Sequence, residues 1–153
     1  MLRAASPAPV VGTATNDSAG AGFVGELLTA SLAVGSATSL VSATAKDVIT
    51  VSLTAGDWDV TGVVDFVPGA TTNATLLLYG ANSATNTLGA DDTYASKVFL
   101  TAGQVTTAGH YRNVIPTQRV SLSATTTWRL IAQATFSVST MTAYGTIRAR
   151  RVR

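Results

Sequence analysis

The chain has no cysteine, only one histidine, and few charged residues, which make up 12% of the sequence. The absence of cysteine excludes disulfides, thiolate metal sites and cysteine nucleophiles. A single histidine cannot supply the paired ligands of a zinc site, and a catalytic triad would need that histidine together with suitable partner residues. No stretch approaches the roughly 18 consecutive apolar residues of a membrane span. These absences predict a non-enzymatic protein with no cofactor, no metal and no membrane insertion.

The residues that are present favour strands. Hydrophobic residues make up 46% of the chain, and threonine, serine and asparagine replace lysine and glutamate as the main polar residues. Threonine and valine suit the half-buried surface of a sheet, whereas the scarce lysine and glutamate favour helices. A surface with so little charge indicates that copies of the chain or a scaffold cover part of it. The alternative is a Thr/Ser-rich soluble β-domain.

Apolar residues alternate with mostly polar ones in several segments, most clearly in 57–66 and 128–136. This period of two is typical of strands with one face in a core. No segment shows a helical period, and turn residues separate the strands. We therefore predict an all-β antiparallel sandwich, a jelly roll of about eight strands. The predicted strands lie at 28–32, 47–53, 57–66, 75–79, 94–101, from 120 onward, 128–136 and from 141 toward the C-terminus.

The first 22 residues differ from the rest in composition. Pro7 and Pro9 favour extended backbone, and the following residues are small, polar or glycine. Such a segment buries too little apolar surface to fold on itself. We predict two parts, an extended N-terminal arm at 1–22 and a jelly-roll domain at 23–153.

Trp58 and Trp128 each follow a short turn and open a long alternating segment. Alternation places both in the core, so core packing is favoured over sugar stacking. We interpret the two turns as hairpins.

Three segments resemble small virion-surface proteins of tailed phages and prophages. The first is Leu-Thr-Ala-Gly-Asp-Trp-Asp-Val-Thr-Gly at 53–62. The second lies near the N-terminus and has two parts, 12–17 and 23–26. The third lies near the C-terminus and also has two parts, 132–136 and 142–153. The resemblance is weak between about 71 and 111. It implies a compact trimeric jelly roll similar to the tumour-necrosis-factor fold, located on the virion surface as a head decoration, head fibre or tail-fibre domain. It implies no catalytic residues.

Taken with that resemblance, the sequence suggests a non-enzymatic structural protein of a phage virion, most simply a homotrimeric capsid decoration or head-fibre subunit. The expected partners are copies of the chain and capsid or other virion proteins. The alternative is a receptor-binding domain of a tail fibre, which would bind host surface glycan through the loop predicted at 80–92 and the adjacent Tyr94.

Positive charge is concentrated at the C-terminus, where four of the ten basic residues occupy the last six positions. They are Arg148, Arg150, Arg151 and Arg153. Alternation places the first two on one face of the last strand and the other two on the opposite face. Arginine is favoured at interfaces with carboxylates, so we predict that these four residues contact an acidic neighbouring surface. A solvated edge that blocks strand pairing and a polyanion site are the alternatives. Nucleic acid is not an expected partner, because only Tyr144 could stack with bases.

The remaining candidates for chemistry have structural explanations. His110 lies between turn residues and is predicted to be exposed or at an interface. Asp57, Asp59 and Asp65 share the polar face of one strand, where solvation or ion pairs with arginine are expected. Glycoside hydrolysis by paired carboxylates of this face is less favoured, because alternate positions place Asp57 and Asp59 on one exposed face and not across a cleft. Calcium binding by Asp57, Asp59, or Asp91 with Asp92 is also less favoured, because no calcium-loop spacing is evident.

Overall fold

A computed structural model describes Thr15 and residues 17–89, 95–99 and 109–153. This part of the chain contains nine strand segments and one short 3-10 turn, Val34–Ser36, and none of its helices could span a membrane. The strands are β1 (Leu27–Leu32), β2 (Thr38–Ser39), β3 (Lys46–Leu53), β4 (Gly56–Pro68), β5 (Asn73–Asn82), β6 (Ala95–Phe99), β7 (Tyr111–Leu122), β8 (Thr126–Ser137) and β9 (Met141–Arg151).

The strands form two antiparallel sheets. The front sheet has the order β1, β9, β4, β7, with β2 also paired to β9, and the back sheet has the order β3, β8, β5, β6. Because β1 and β2 pair with successive parts of β9, they are two segments of one strand position, and the fold has eight positions. The chain passes repeatedly from one sheet to the other, as in a jelly roll. The predicted fold class is confirmed.

The core lies between the inner faces of the two sheets and follows the alternation of the strands. On β4, Trp58, Val60 and Phe66 are fully buried, and on β8 Trp128 and Leu130 face them from the back sheet. The indole N–H of Trp58 donates a hydrogen bond to the carbonyl of Thr54 at 2.9 Å. The prediction that both tryptophans are core residues is confirmed.

The turns before the two tryptophans are not hairpins. β3 and β4 lie in different sheets, and so do β7 and β8. Residues 54–55 and 123–125 therefore carry the chain across the sandwich, and each tryptophan enters the core directly after a crossing. The residue pattern of a hairpin and of a crossing is the same, because both need only a short polar link between two strands.

Two glycines allow the sheets to approach each other. A Cβ atom on Gly62 would lie 2.9 Å from a methyl group of Leu130, and one on Gly145 would lie 3.0 Å from its other methyl group. The first distance is shorter than side chains tolerate and the second is at that limit. At Gly145 a Cβ atom would also collide with the backbone carbonyl of Val63 on the neighbouring strand β4. The missing side chains on β4 and β9 thus make room for Leu130 of β8.

Strand β7 begins at Tyr111, nine residues before the predicted start at 120. Its pairing with β4 shifts register between Val60 and Gly62, which produces a β-bulge around Pro116. The hydroxyl of Thr61 donates to the carbonyl of Ile115 at 2.9 Å and satisfies the backbone at this irregularity. Within the described residues, β7 forms one edge of the front sheet, and β1 with β2 forms the other.

The loop predicted at 80–92 begins later, because β5 continues to Asn82. Its described part, 83–89, is fastened to β3: the amide of Asp47 donates to Asn86 Oδ1 at 2.8 Å, and the amide of Asn86 donates to Asp47 Oδ1 at 2.7 Å. Arg129 adds an ion pair to Asp47 at 3.0 Å. Residues 90–94 lie outside the described part of the chain.

Most of the predicted arm, 1–22, also lies outside the described residues. Near its end, the amide of Leu27 donates to the hydroxyl of Ser18 at 3.2 Å. The arm itself stays a prediction.

Candidate interaction face

The outer face of the front sheet carries the residues that alternate with the core. Strand register places them in rows across the sheet. The first row contains Leu27, Arg150, Asp59 and Arg119. The second row contains Thr29, Arg148 and Thr61, and the third contains Ser31, Thr146, Val63 and Val114. The fourth row contains Tyr144, Asp65 and Arg112. The pair Val63 and Val114 was not predicted, because β7 was not recognised over this stretch. The available signal was Val63, an apolar residue between Thr61 and Asp65 on the mostly polar face of β4.

A groove of about 400 Å³ lies on this face. The volume is within the range of roughly 300–1,000 Å³ that small-ligand pockets occupy. Its lining residues are Leu32, Thr61, Gly62, Val63, Asp65, Arg112, Val114, Tyr144, Gly145, Thr146 and Arg148.

Two of the three aspartates predicted on the polar face of β4 form ion pairs. Asp65 accepts from Arg112 Nε through both carboxylate oxygens, at 3.1 and 3.2 Å, and this contact raises the pKa of Arg112. Asp57 pairs with Arg119 at 3.3 Å and with Arg153 at 2.7 Å. A hydrogen bond from Ser121, aided by these arginines, lowers the pKa of Asp57. The expected arginine pairs are thus confirmed for these two residues.

Asp59 differs from its neighbours. Although Arg150 and Arg119 stand beside it in the register, Asp59 makes no ion pair with any residue that the structure describes.

His110 is exposed, as predicted, and contacts Tyr144, which lines the groove. Its Nδ1 lies 2.8 Å from the hydroxyl of Tyr144, and the two rings meet edge to face at a centroid distance of 5.8 Å. This hydrogen bond fixes the orientation of Tyr144 where it lines the groove.

The four C-terminal arginines have different environments. Arg148 and Arg150 are exposed on the outer face, and neither has a hydrogen-bond or ion-pair partner among the described residues. The side chain of Arg153 is 82% exposed and reaches Asp57. For these three residues the contact with a neighbouring surface stays a prediction.

Arg151 differs from that expectation, because its side chain is buried and serves the fold. The alternation of β9 points it inward, where its Nε donates to Glu26 Oε2 at 2.9 Å and its guanidinium lies 4.3 Å from the ring centroid of Trp58. It also donates to the carbonyl of Ala55 at 2.8 Å and to the hydroxyl of Thr54. An arginine with this many internal partners cannot serve another subunit.

Glu26 completes this arrangement. Its carboxylate accepts a hydrogen bond from the amide of Gly22 at 2.9 Å. That bond, followed by the contact with Arg151, lowers the pKa of Glu26. We call Glu26, Gly56, Trp58 and Arg151, with Thr54 and Ala55, the sealed corner.

The net positive charge of the chain belongs to the outer face. Five arginines stand on it or reach it against three aspartates, an excess of two positive charges that equals the net charge of the whole chain, +2. These arginines are Arg112, Arg119, Arg148, Arg150 and Arg153. The basic C-terminus is therefore one side of a wider cationic face.

Within the described residues, no group of three or more His, Cys, Asp or Glu side chains could hold a metal ion. The described residues of the face offer apolar contact at Val63 and Val114 and ion pairing at its arginines.

No protein-family model matches the chain, and no curated protein matches it. Among solved structures, the chain is similar to the VP2 subviral particle of infectious bursal disease virus, with 15% identity and a TM-score of 0.41. The match covers 83% of this chain but only 33% of that chain. Similarity at this level carries no argument about function, and the eight-position jelly roll stands on its own topology.

Proposed function

We propose that the chain is a non-enzymatic structural protein of a phage virion, a homotrimeric capsid decoration or head-fibre subunit on the virion surface. In this role the jelly roll is a rigid body, and its outer face holds it against other proteins of the particle.

One observation carries the assembly part of this proposal: none of the described residues covers the outer face of the front sheet. Val114 is 62% exposed on it and Leu27 is 48% exposed, and Arg148 and Arg150 stand there without partners among the described residues. Exposed apolar side chains beside arginines are typical of protein interfaces. The virion location rests on the sequence resemblance at 53–62 and near the two ends.

The oligomeric state is the first test. Size-exclusion chromatography with light scattering at micromolar concentration should give three times the chain mass of 15.6 kDa. A monomer mass under these conditions would contradict the homotrimer.

Attachment is the second test. Purified protein is added to particles that lack it, and its occupancy is measured by gel densitometry and electron microscopy. We expect the double substitution Arg148→Gln with Arg150→Gln to lower occupancy strongly, whereas Lys46→Gln, which removes one positive charge from the back sheet, should attach like the natural protein. Equal attachment of both variants would show that these arginines are not the anchor.

The glycan-binding alternative has no specific contact in its favour. In the described part of the loop, Asn86 is engaged with Asp47, while Tyr94 lies outside the described residues. Binding of the purified protein to a glycan array, lost on substitution in 83–89, would replace the present proposal with that alternative.

A further inference from the structure

Most polar groups that line the groove are already satisfied within the chain. The hydroxyl of Thr61 donates to a carbonyl, that of Thr146 is hydrogen-bonded to Ser31 at 2.9 Å, and Asp65 is neutralised by Arg112. Tyr144 is bonded to His110. Arg148 remains as the lining residue with an unused charge.

The centre of the groove is apolar. Val63 and Val114 stand side by side there, and Val114 is 62% exposed to solvent. When an apolar group of a ligand displaces water from an exposed apolar surface in a concavity, the free energy of binding becomes more favourable. A ligand for this groove therefore needs an apolar group as well as a negative charge.

The spacing of these features is that of an extended chain. Arg150, Arg148 and Thr146 follow one another at alternate positions of β9, and Val63 is the cross-strand partner of Thr146. Alternate residues of a strand are about 7 Å apart. The same distance separates alternate side chains of an extended peptide that lies along β9.

We propose that this groove binds an extended acidic segment of a partner protein. Carboxylates at two alternate positions pair with Arg150 and Arg148, and an apolar side chain two positions further on occupies the hollow between Val63 and Val114. The inference deepens the proposed attachment role by naming the partner's chemistry, and it does not depend on the trimer.

A second copy of the chain is a poorer occupant on grounds of charge. Of the six carboxylates in the described residues, four are ion-paired within the chain: Glu26, Asp47, Asp57 and Asp65. Asp59 lies on the cationic face itself. The described part of a second copy therefore offers few free carboxylates to Arg148 and Arg150, whereas an acidic segment of another protein offers them directly.

The test uses a fluorescein-labelled peptide, Ser-Gly-Asp-Ser-Asp-Ser-Leu-Gly-Ser, and the full-length protein, with binding followed by fluorescence anisotropy at low salt. Arg148→Gln should weaken binding by about fivefold, the upper range for one exposed ion pair. Lys46→Gln makes the same change in net charge on the back sheet and should have no effect. Equal weakening by both variants would mean nonspecific charge attraction and would overturn the inference.

The apolar part of the inference has its own test. Val114→Ser changes an exposed side chain and should weaken binding of the leucine peptide by about threefold. The same peptide with serine in place of leucine should bind both proteins equally. If Val114→Ser affects both peptides alike, or if heparin binds in an Arg148-dependent manner more tightly than the peptide, the groove is a general anion site and the inference fails.

The outcomes also separate this inference from the proposed function. Peptide binding without attachment to particles would uphold the inference and contradict the virion role. Normal attachment of an Arg148→Gln protein that no longer binds peptide would contradict the inference alone. An oligomer that excludes the peptide, and that Arg148→Glu converts to monomer, would assign the face to a second copy.

Discussion

The sealed corner and the groove both contain an arginine of β9, and the two arginines are only three positions apart. Arg151 is 6% exposed and bonded to Glu26 and to the strand ends around it, whereas Arg148 is exposed and without a partner in the described part of the chain. The pleat of the strand accounts for the difference, since it directs one side chain inward and the other outward. The same residue type can thus stabilise a fold or remain available to a partner, according to the direction in which it points.

The largest expected effect is that of breaking the sealed corner. Arg151→Ala leaves the carboxylate of Glu26 buried without its cation, which should lower the free energy of unfolding by about 3–5 kcal/mol. Urea denaturation followed by tryptophan fluorescence measures this. The double variant Glu26→Gln with Arg151→Met should lose less than the sum of its single changes, and Arg148→Ala should lose under about 0.5 kcal/mol. Similar losses for Arg148→Ala and Arg151→Ala would contradict the distinction between the two regions.

A smaller effect is expected at Gly56, which has a φ of +135° and adjoins the guanidinium of Arg151. Gly56→Ala adds a Cβ atom that would collide with that guanidinium and strains the backbone, so we expect a loss of about 1–3 kcal/mol. Gly35→Ala is the matched control, because no atom lies within 4 Å of its Cβ position. Differential scanning calorimetry of both variants should show a lower melting temperature for Gly56→Ala only.

The two regions should also differ in their response to acid. The folded-state pKa of Glu26 is lowered, so its stabilising contribution is present above the unfolded-state value of about 4.3 and is lost as the pH falls through the lower folded-state value. Urea midpoints measured from pH 6 downward should therefore decline less steeply in Glu26→Gln than in the natural protein. Arg148→Gln should retain the natural slope; a changed slope there would link the groove to acid stability.

The smallest effect is expected in the groove itself. Val114→Thr preserves the shape of an exposed side chain, so the free energy of unfolding should change by less than about 0.5 kcal/mol. A larger loss in chemical denaturation would show that the outer face contributes to the stability of the fold as the sealed corner does.

Alternation, together with composition and the turn residues between strands, was enough to predict the fold class. In 57–66 and 128–136 the apolar positions coincide with the inner faces of β4 and β8, because the pleat and the burial have the same period. The first nine residues of β7 escaped prediction because Asn113 and Gln118 occupy inward positions and Pro116 interrupts the pattern.

The candidate site was less predictable. Alternation correctly separated Arg148 and Arg150 from Arg151, but Arg153, expected on the face of Arg151, lies beyond the end of β9 and reaches Asp57 of the outer face. Alternation also could not reveal that Arg151 enters the interior, since its partner Glu26 is 125 residues away in sequence. The groove depends on the register between β4 and β7, which a bulge shifts. Such long-range pairings depend on the assembled sheets and leave no local pattern.

The bulge at Pro116 affects whether copies of the molecule that lie close together can pair through their edge strands. An edge strand of twelve residues with a free backbone would be a template for strands of other molecules. Pro116 has no amide hydrogen to donate, and the bulge divides β7 into two short stretches with different twist. Neither stretch offers a long regular row of backbone hydrogen-bonding groups. Many copies can therefore lie close together without their edge strands pairing into fibrils.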